Sequence, residues 1–120
     1  MMKPGYFCWN ELVTTDVEAA KAFYGKLFGW TTAPLMEGYT LFNKDKGDRN
    51  AGGLMKTPQP GMPAQWLAYV CVDDVDATAA QVAALGGKIK MPPMDIPTVG
   101  RIAVLSDPQG AAIGIFRPAS

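Results

Sequence analysis

Few side chains in this sequence are suited to catalysis or to metal binding. The chain of 120 residues contains no histidine and only two cysteines, Cys8 and Cys71. Without histidine, a serine or cysteine nucleophile lacks its usual general base, and the commonest imidazole ligand of a zinc ion is missing. Carboxylates are therefore the main candidates for chemistry. The most notable are Glu11, inside an apolar strand, and the adjacent Asp73 and Asp74.

The elements that position these residues occur twice in the chain. Residues 13–29 match residues 71–87 at a constant offset without a gap, and Asp16 falls on Asp74. Each copy predicts a strand, an acidic N-cap, an amphipathic helix and a glycine stop. Because Asp16 has no acidic neighbour, the duplication favours helix capping over metal binding for Asp73 and Asp74.

The order of apolar and turn segments predicts an α+β fold with two βαβββ modules in tandem. We expect residues 1–120 to form a single domain, with module 1 at about 5–55 and module 2 at about 64–118. Residues 56–63, which contain three prolines, form the linker between them. Two such modules would join into an open, barrel-like mixed sheet with a central cleft.

The predicted details of packing follow from helical and strand periodicity. A short strand at 88–90 should be followed by a loop at 91–97, which contains three prolines. The residues expected on the inner sides of the helices are Val17, Ala20, Phe23, Tyr24 and Leu27 in the first, and Val75, Ala79, Val82 and Leu85 in the second.

The two cysteines occupy positions of opposite parity in the two matched strands. Successive side chains of a strand point to opposite faces, so we expect Cys8 and Cys71 to face apart. Each should behave as a small buried hydrophobic residue. Neither a disulfide nor a metal pair is expected.

Composition narrows the class of partner. Hydrophobic residues make up 48% and charged residues 18%, and eleven basic side chains balance eleven acidic ones. A globular protein without a basic stripe is not expected to bind nucleic acid. No apolar run is long enough to span a bilayer, and the first residues lack the apolar core of a signal peptide. We expect a cytoplasmic protein without membrane contact.

Several short motifs, in this order, resemble the vicinal oxygen chelate superfamily, which includes glyoxalase I, extradiol dioxygenases, fosfomycin-resistance enzymes and bleomycin-resistance proteins. The resemblance covers essentially the whole chain. The motifs are ELVTTD at 11–16, AFY at 22–24, LFGW at 27–30, VDDVD at 72–76, ALGG at 84–87 and SDPQG at 106–110.

The resemblance also locates the positions of the family's metal ligands. The family's first-strand histidine falls on Trp9, and its counterpart in the second half falls on Leu67. The glutamate of the final strand falls on Gly114, and its counterpart falls near Gly53. None of these side chains offers a lone pair suited to a divalent cation. We therefore expect no metal and no cofactor, which argues against glyoxalase I, dioxygenase and fosfomycin-transferase activities.

Strand alternation predicts which residues line the cleft. The inward positions of the first strands carry mainly aromatic and apolar side chains, and Gly53 and Gly114 should widen the space. Such a pocket suits a flat organic ligand. The predicted ligand-binding residues are Trp9, Glu11, Tyr39, Leu67, Tyr69, Arg101 and Gly114.

Each of these assignments has an alternative. Glu11 could act as a general base, since an apolar pocket weakens the hydration of a carboxylate, or it could form an ion pair with Arg101. Arg101 could instead clamp a ligand carboxylate or lie at a solvated edge. The tyrosines could donate hydrogen bonds to a ligand carbonyl or pack in the core, and Trp9 and Trp66 could stack on a ligand or fill the core.

Three functions are compatible with these residues. The first is a bleomycin-resistance-like protein that binds an apolar or aromatic small molecule in the cleft without metal. The second is a metal-independent lyase or isomerase with Glu11 as the base, and the third is a non-catalytic accessory domain. The resemblance further implies a homodimer, and exposed Trp30 or Trp66 could contribute to its contact.

Overall fold

A computed structural model of the protein describes residues 3–44, 50–57 and 61–119. Residues 58–60 of the predicted linker lie outside the described residues. The α+β class and the βαβββ order of both modules are confirmed. The elements are β1 (Phe7–Thr14), α1 (Val17–Phe28), β2 (Thr31–Met36), β3 (Tyr39–Asn43), β4 (Asn50–Lys56), β5 (Gln65–Cys71), α2 (Val75–Val82), β6 (Lys88–Ile96), β7 (Gly100–Ser106) and β8 (Ala112–Pro118).

The chain divides into two compact units. One contains the residues up to Trp9 and those from Ala68 onward, and the other is Asn10–Leu67. In the Asn10–Leu67 unit the strands follow the order β2-β3-β4-β1, and in the other unit they follow β5-β8-β7-β6. The pairs β1–β4 and β5–β8 are parallel, and the remaining pairs within each unit are antiparallel. Neither helix of the described ranges is long and apolar enough to cross a membrane.

Both helices begin at the predicted aspartate. The Asp16 carboxylate accepts a hydrogen bond from the Ala19 N–H at 3.0 Å, and the Asp74 carboxylate accepts one from the Ala77 N–H at 3.0 Å. These bonds satisfy backbone donors that have no partner within the first helical turn. Helix capping is thus the confirmed role of Asp16 and Asp74.

Helix α1 buries a narrower side than its sequence predicts. Ala20 packs with the strand residues Leu12, Phe42 and Leu54, and Val17, Tyr24 and Trp30 lie at the margin of this core. Phe23 and Leu27 were expected to face inward, but they are 60% and 59% exposed. Successive residues of a helix are about 100° apart around its axis, so Phe23 points in a clearly different direction from Tyr24. The inward prediction is wrong for these two side chains.

The second module has a smaller helix–sheet core. Val75 of α2, Ala103 of β7 and Ile115 of β8 form a buried cluster, with Ala79 against it. Val75 and Val82 are buried as predicted. Leu85 is 74% exposed, because α2 ends at Val82 and the side chain no longer follows the helical side.

The predicted loop at 91–97 is wrong over most of its length, since β6 continues from Lys88 to Ile96. Pro92 and Pro93 lie inside this strand. Strand β6 is the last in its unit's order, and its register with β7 shifts on both sides of Met91. Edge strands and bulges tolerate residues without an N–H, which explains how the strand accommodates both prolines.

Candidate functional site

Glu11 and Tyr39 meet at a glycine. Glu11 lies in β1 and is only 2% exposed, and its register partner in β4 is Gly53. The Tyr39 hydroxyl of β3 lies where a Cβ on Gly53 would stand. Side chains of paired residues share one face of a sheet, with about 5 Å between neighbouring strands. The Glu11 carboxyl group and the Tyr39 phenol are therefore neighbours on that face.

Tyr69 and Gly114 repeat this arrangement in the other unit. The parallel pairing of β5 and β8 places Tyr69 directly beside Gly114. Tyr69 is 1% exposed, and its ring atoms Cγ, Cδ2 and Cε2 occupy the place that a Cβ on Gly114 would need. The Tyr69 ring therefore occupies the space beside Gly114, the position that the resemblance assigns to the glutamate of the final strand.

The two glycines serve to admit tyrosine side chains. Both were expected to widen a cleft. At Gly53 the space is filled by the Tyr39 phenol, and at Gly114 it is filled by the Tyr69 ring. A residue with a side chain at either position would collide with an aromatic group of the same unit. The glycines therefore leave no opening at their Cβ positions.

Arg101 is held by two carboxylates. Its Nε and Nη2 donate to Asp76 at 2.7 and 2.9 Å, and its Nη1 donates to Asp95 at 2.9 Å. These bonds raise the pKa of Arg101 and lower that of Asp76. The bidentate geometry is typical of strong arginine–carboxylate recognition. Asp76 and Asp95 therefore orient Arg101, whereas the sequence had suggested Glu11 as its partner.

The remaining aromatic candidates differ in their surroundings. Trp9 of β1 is half-buried, and Leu67 of β5 is buried. Trp66 is 41% exposed, and its Nε1–H donates to the Tyr24 hydroxyl at 3.1 Å. Its ring lies edge-on to Tyr24, with centroids 5.4 Å apart. Trp66 is thus packed against α1 within the Asn10–Leu67 unit.

The two cysteines face each other, which corrects the prediction of opposite faces. The Gly5 N–H donates to the Cys71 carbonyl at 2.8 Å, and the Cys71 N–H donates to the Tyr6 carbonyl at 2.9 Å. Two residues thus stand opposite one, a β-bulge that Gly5 permits with its φ of 87°. Because Tyr6 stands opposite Cys71, Cys8, two residues further along the strand, projects from the same face as Cys71. Burial and the neighbouring Cys71 thiol raise the pKa of the Cys8 thiol to about 11.

Sequence reasoning missed Asp76, Asp95 and the thiol pair. Asp76 is in the first turn of α2, where an acidic residue is adequately explained by the helix dipole. Asp95 was placed in a loop that is a strand. The thiol pair had no local signal in the sequence, since it depends on which residue near the start of the first strand pairs with Cys71.

Comparison with known proteins identifies the family. A model of the Glyoxalase/Bleomycin resistance protein/Dioxygenase superfamily matches residues 6–115. The chain belongs to this superfamily. The resemblance to vicinal oxygen chelate proteins is thereby confirmed.

Two groups of curated relatives within the superfamily match nearly the whole chain. "Putative glyoxylase CFP32" of Mycobacterium tuberculosis (strain CDC 1551 / Oshkosh) is 46% identical over 117 residues, which are 96% of this chain and 45% of that protein. "Anthracycline biosynthesis protein DnrV" of Streptomyces peucetius is 38% identical over 130 residues, covering 95% of this chain and 47% of that protein. The chain spans about half the length of these relatives.

Solved structures share the superfamily fold. The Mn(II)-bound glyoxalase from Novosphingobium aromaticivorans has a TM-score of 0.62 at 19% identity and covers 98% of this chain and 40% of its own. Methylmalonyl-CoA epimerase from Mycobacterium tuberculosis has a TM-score of 0.62 at 16% identity, covering 100% and 92%. At these identities the likeness extends to the fold alone.

The residues of this chain do not fit the metal centre of metal-dependent superfamily members. The positions that the resemblance assigns to the ligands carry Trp9, Leu67 and Gly114, with Gly53 near the fourth. The tyrosines cover both glycine positions with a phenol or a ring. Among the described residues, no group of three or more His, Cys, Asp or Glu side chains could hold a metal ion. No chemical step is therefore derived through a metal.

Proposed function

We propose that this protein binds a flat apolar or aromatic small molecule without the help of a metal ion. The observation that carries the proposal is the pair of tyrosine–glycine contacts, Tyr39 on Gly53 and Tyr69 on Gly114. At the two positions that the resemblance assigns to acidic ligands, a tyrosine side chain of the same unit fills the space beside the glycine, so the surroundings offer an aromatic ring and one hydroxyl. Such groups suit an organic ring with a few polar substituents better than a cation.

The names of the relatives support the same class of ligand. A protein of anthracycline biosynthesis, 38% identical to this chain, is named for a polycyclic aromatic product. This chain aligns with less than half of that relative, so the ligand of the whole relative need not be the ligand here. The ligand contacts that we propose are the residues singled out in the sequence, taken unit by unit: Glu11, Tyr39 and Leu67 in the Asn10–Leu67 unit, and Trp9, Tyr69, Arg101 and Gly114 in the other. A cytoplasmic location remains a prediction from the sequence.

The first experiment is native mass spectrometry of protein purified without chelators or added metal. We expect a metal-free mass, with or without an organic adduct. A stoichiometric divalent metal would overturn the metal-free part of the proposal. The same spectrum reports the number of chains in the assembly.

The second experiment measures binding of an anthracycline by its own visible fluorescence. Replacing Trp9 by alanine should weaken binding by about three- to tenfold, the range expected for loss of one aromatic stacking contact. Tyr6→Ala, which removes an exposed aromatic side chain three residues earlier, is the matched control and should leave affinity unchanged. Equal affinities of all three proteins would contradict the role of Trp9. A failure of all ligands in a thermal-shift library would favour an accessory domain.

A metal-independent lyase or isomerase with Glu11 as general base is the second candidate. It is favoured by the burial of Glu11 and by the Tyr39 phenol beside its register partner Gly53. A buried carboxylate is a stronger base than a hydrated one. Glu11→Gln should abolish turnover of the hemithioacetal of methylglyoxal and glutathione while leaving its binding intact. If Glu11→Gln turns over as fast as the wild type, Glu11 is not the base.

We further propose that a second copy of the chain covers the exposed side of α1. Phe23, Leu27 and Phe28 form this apolar side. More than half of each curated relative lies outside the match, so those chains have room for an additional domain where a second copy would stand here. A two-fold interface would bring two copies of the same helix face together.

The test of this pairing is the mass in solution by light scattering. Leu27→Glu should convert a dimer into a monomer. Leu85→Glu, a control at an even more exposed leucine of the other module, should leave the dimer intact. A wild-type monomer at micromolar concentration, or a dimer unaffected by Leu27→Glu, would contradict the interface.

A further inference from the structure

The thiols of Cys8 and Cys71 form a pair within one unit of the fold. The bulge at Gly5 and Tyr6 brings the first strand into register with Cys71 through two backbone hydrogen bonds of 2.8 and 2.9 Å. Cys8 follows Tyr6 by two residues and so projects from the same face. The two side chains therefore lie on one face at diagonally neighbouring positions of two paired segments, and both cysteines are free thiols.

The two thiols differ in their access to solvent. Cys8 is partly exposed, and Cys71 is buried at the end of β5. A small oxidant can therefore reach Cys8 first. Cys71, the diagonal neighbour on the same face, is then the nearest thiol along the strand pairing to react with the oxidised sulfur, as a resolving cysteine does.

We propose that Cys8 and Cys71 form an intramolecular disulfide when the protein is oxidised by a hydroperoxide. The Cys8 thiolate attacks the peroxide oxygen, the O–O bond breaks, and the released alkoxide or hydroxide takes up a proton. Cys8 is then a sulfenic acid. The Cys71 sulfur attacks the Cys8 sulfur, its thiol proton leaves with the hydroxyl group as water, and the S–S bond forms. Two thiols are oxidised and one peroxide is reduced to an alcohol and water.

The environment of Cys8 sets the rate of this reaction. Burial and the neighbouring Cys71 thiol raise the pKa of Cys8 to about 11. Little thiolate is present at neutral pH, so oxidation is slow under mild conditions and accelerates as the pH rises. The pair therefore responds to sustained or strong oxidation. This behaviour is independent of the proposed ligand-binding function.

The cross-link would join the start of β1 to the end of β5. It would enclose the whole Asn10–Leu67 unit in a covalent loop, which restricts the unfolded chain. Oxidised protein should therefore unfold at a temperature several degrees higher than reduced protein. Trp9 follows Cys8 directly, and Tyr69 lies two residues before Cys71, so the bond would also restrain two of the proposed ligand-binding residues.

The test treats the full chain with hydrogen peroxide and then blocks the remaining thiols with iodoacetamide. Intact mass spectrometry should show the loss of two hydrogens and no carbamidomethyl groups, and peptide mapping should find Cys8 linked to Cys71. In Cys71→Ser the sulfenic acid on Cys8 should persist and react with dimedone. In Cys8→Ser the buried Cys71 should remain a thiol.

Three results would overturn the proposal. The first is wild-type protein in which both thiols remain open to alkylation under denaturing conditions after peroxide treatment. The second is a cross-link between two chains instead of within one. The third is equal overoxidation of Cys8 in the wild type and in Cys71→Ser, since it would mean that Cys71 does not intercept the sulfenic acid. Each variant is first checked by circular dichroism, and the wild-type result stands alone if a variant fails to fold.

Discussion

The ring of Tyr69 lies against the Cα of Gly114, at the point where any other residue would carry its Cβ. The two residues are register partners across the parallel pair β5–β8. The family resemblance places an acidic metal ligand at the position of Gly114. In this chain that position has no side chain, and the Tyr69 ring occupies the space beside it.

Gly114→Ala should destabilise the protein by about 1–3 kcal/mol, because the added methyl group overlaps three ring atoms of a buried tyrosine. Urea unfolding followed by fluorescence measures the change in unfolding free energy. If the contact is the cause, the penalty should be smaller when Tyr69 is replaced by leucine. The same penalty in both backgrounds would mean that the glycine is required for another reason.

Gly53→Ala should be less costly than Gly114→Ala. The added methyl group there meets the hydroxyl end of Tyr39 and not the middle of a ring, so the side chain can withdraw with less disturbance of its neighbours. Tyr39→Phe should recover part of the loss, since it removes the nearest atom. The unfolding free energies of the two single variants and the double variant provide the comparison. No recovery in Tyr39→Phe would contradict the contact.

Local patterns in the sequence predicted the fold well. The caps at Asp16 and Asp74, the βαβββ order and the family all follow from short-range signals that a single chain displays. Helix and strand periodicity also identified Val75 and Val82 as buried residues. These features depend on the spacing of apolar, capping and turn residues along the chain, and that spacing can be read directly from the sequence.

The errors arose where a neighbouring strand or the limits of a helix decide the outcome. Phe23 lies on the inner half of a helical wheel but outside the narrow stripe that touches the sheet. Pro92 and Pro93 looked like a loop, yet an edge position allows them in a strand. The backbone pairing of Tyr6 with Cys71 places Cys8 on the same face as Cys71, whereas the repeat had predicted opposite faces. None of these outcomes can be predicted from helix or strand periodicity alone.

The candidate site was predictable in residue type but not in contacts. The sequence itself shows that Trp9, Leu67 and Gly114 offer no side-chain donor atom suited to a divalent cation. That Tyr39 reaches over Gly53 requires the register of β3 with β4, which places Tyr39 opposite Met55 and only two residues from Gly53. The partners of Arg101 likewise come from two different elements.

Asp76→Asn should reduce resistance to acid. The hydrogen bond from Arg101 lowers the pKa of the Asp76 carboxyl group below its ordinary 3.8. A group with a lowered pKa in the folded state stabilises the protein above pH 3.8, and this contribution disappears as the pH falls through the folded-state value. Acid unfolding should therefore begin at a higher pH in the variant.

Asp73→Asn is the matched control for this comparison, since Asp73 is an exposed aspartate close by in sequence. Its acid transition should follow that of the wild type. Because Asp76 is exposed, the difference between wild type and Asp76→Asn should shrink at high salt. A difference that persists unchanged in molar salt would contradict an exposed ion pair as its origin.

Alkaline stability should depend on Cys8. Its pKa is raised from 9.0 to about 11, so the folded state holds the thiol proton more tightly than the unfolded chain does. The stabilising contribution is complete below pH 9 and is lost as the pH rises towards 11. The unfolding free energy of the wild type should therefore fall more between pH 8 and 11 than that of Cys8→Ala. The two proteins share all other titratable groups, so the effects of those groups cancel in the comparison. Parallel curves for the two proteins would show that burial and the Cys71 thiol do not restrain the ionisation of Cys8.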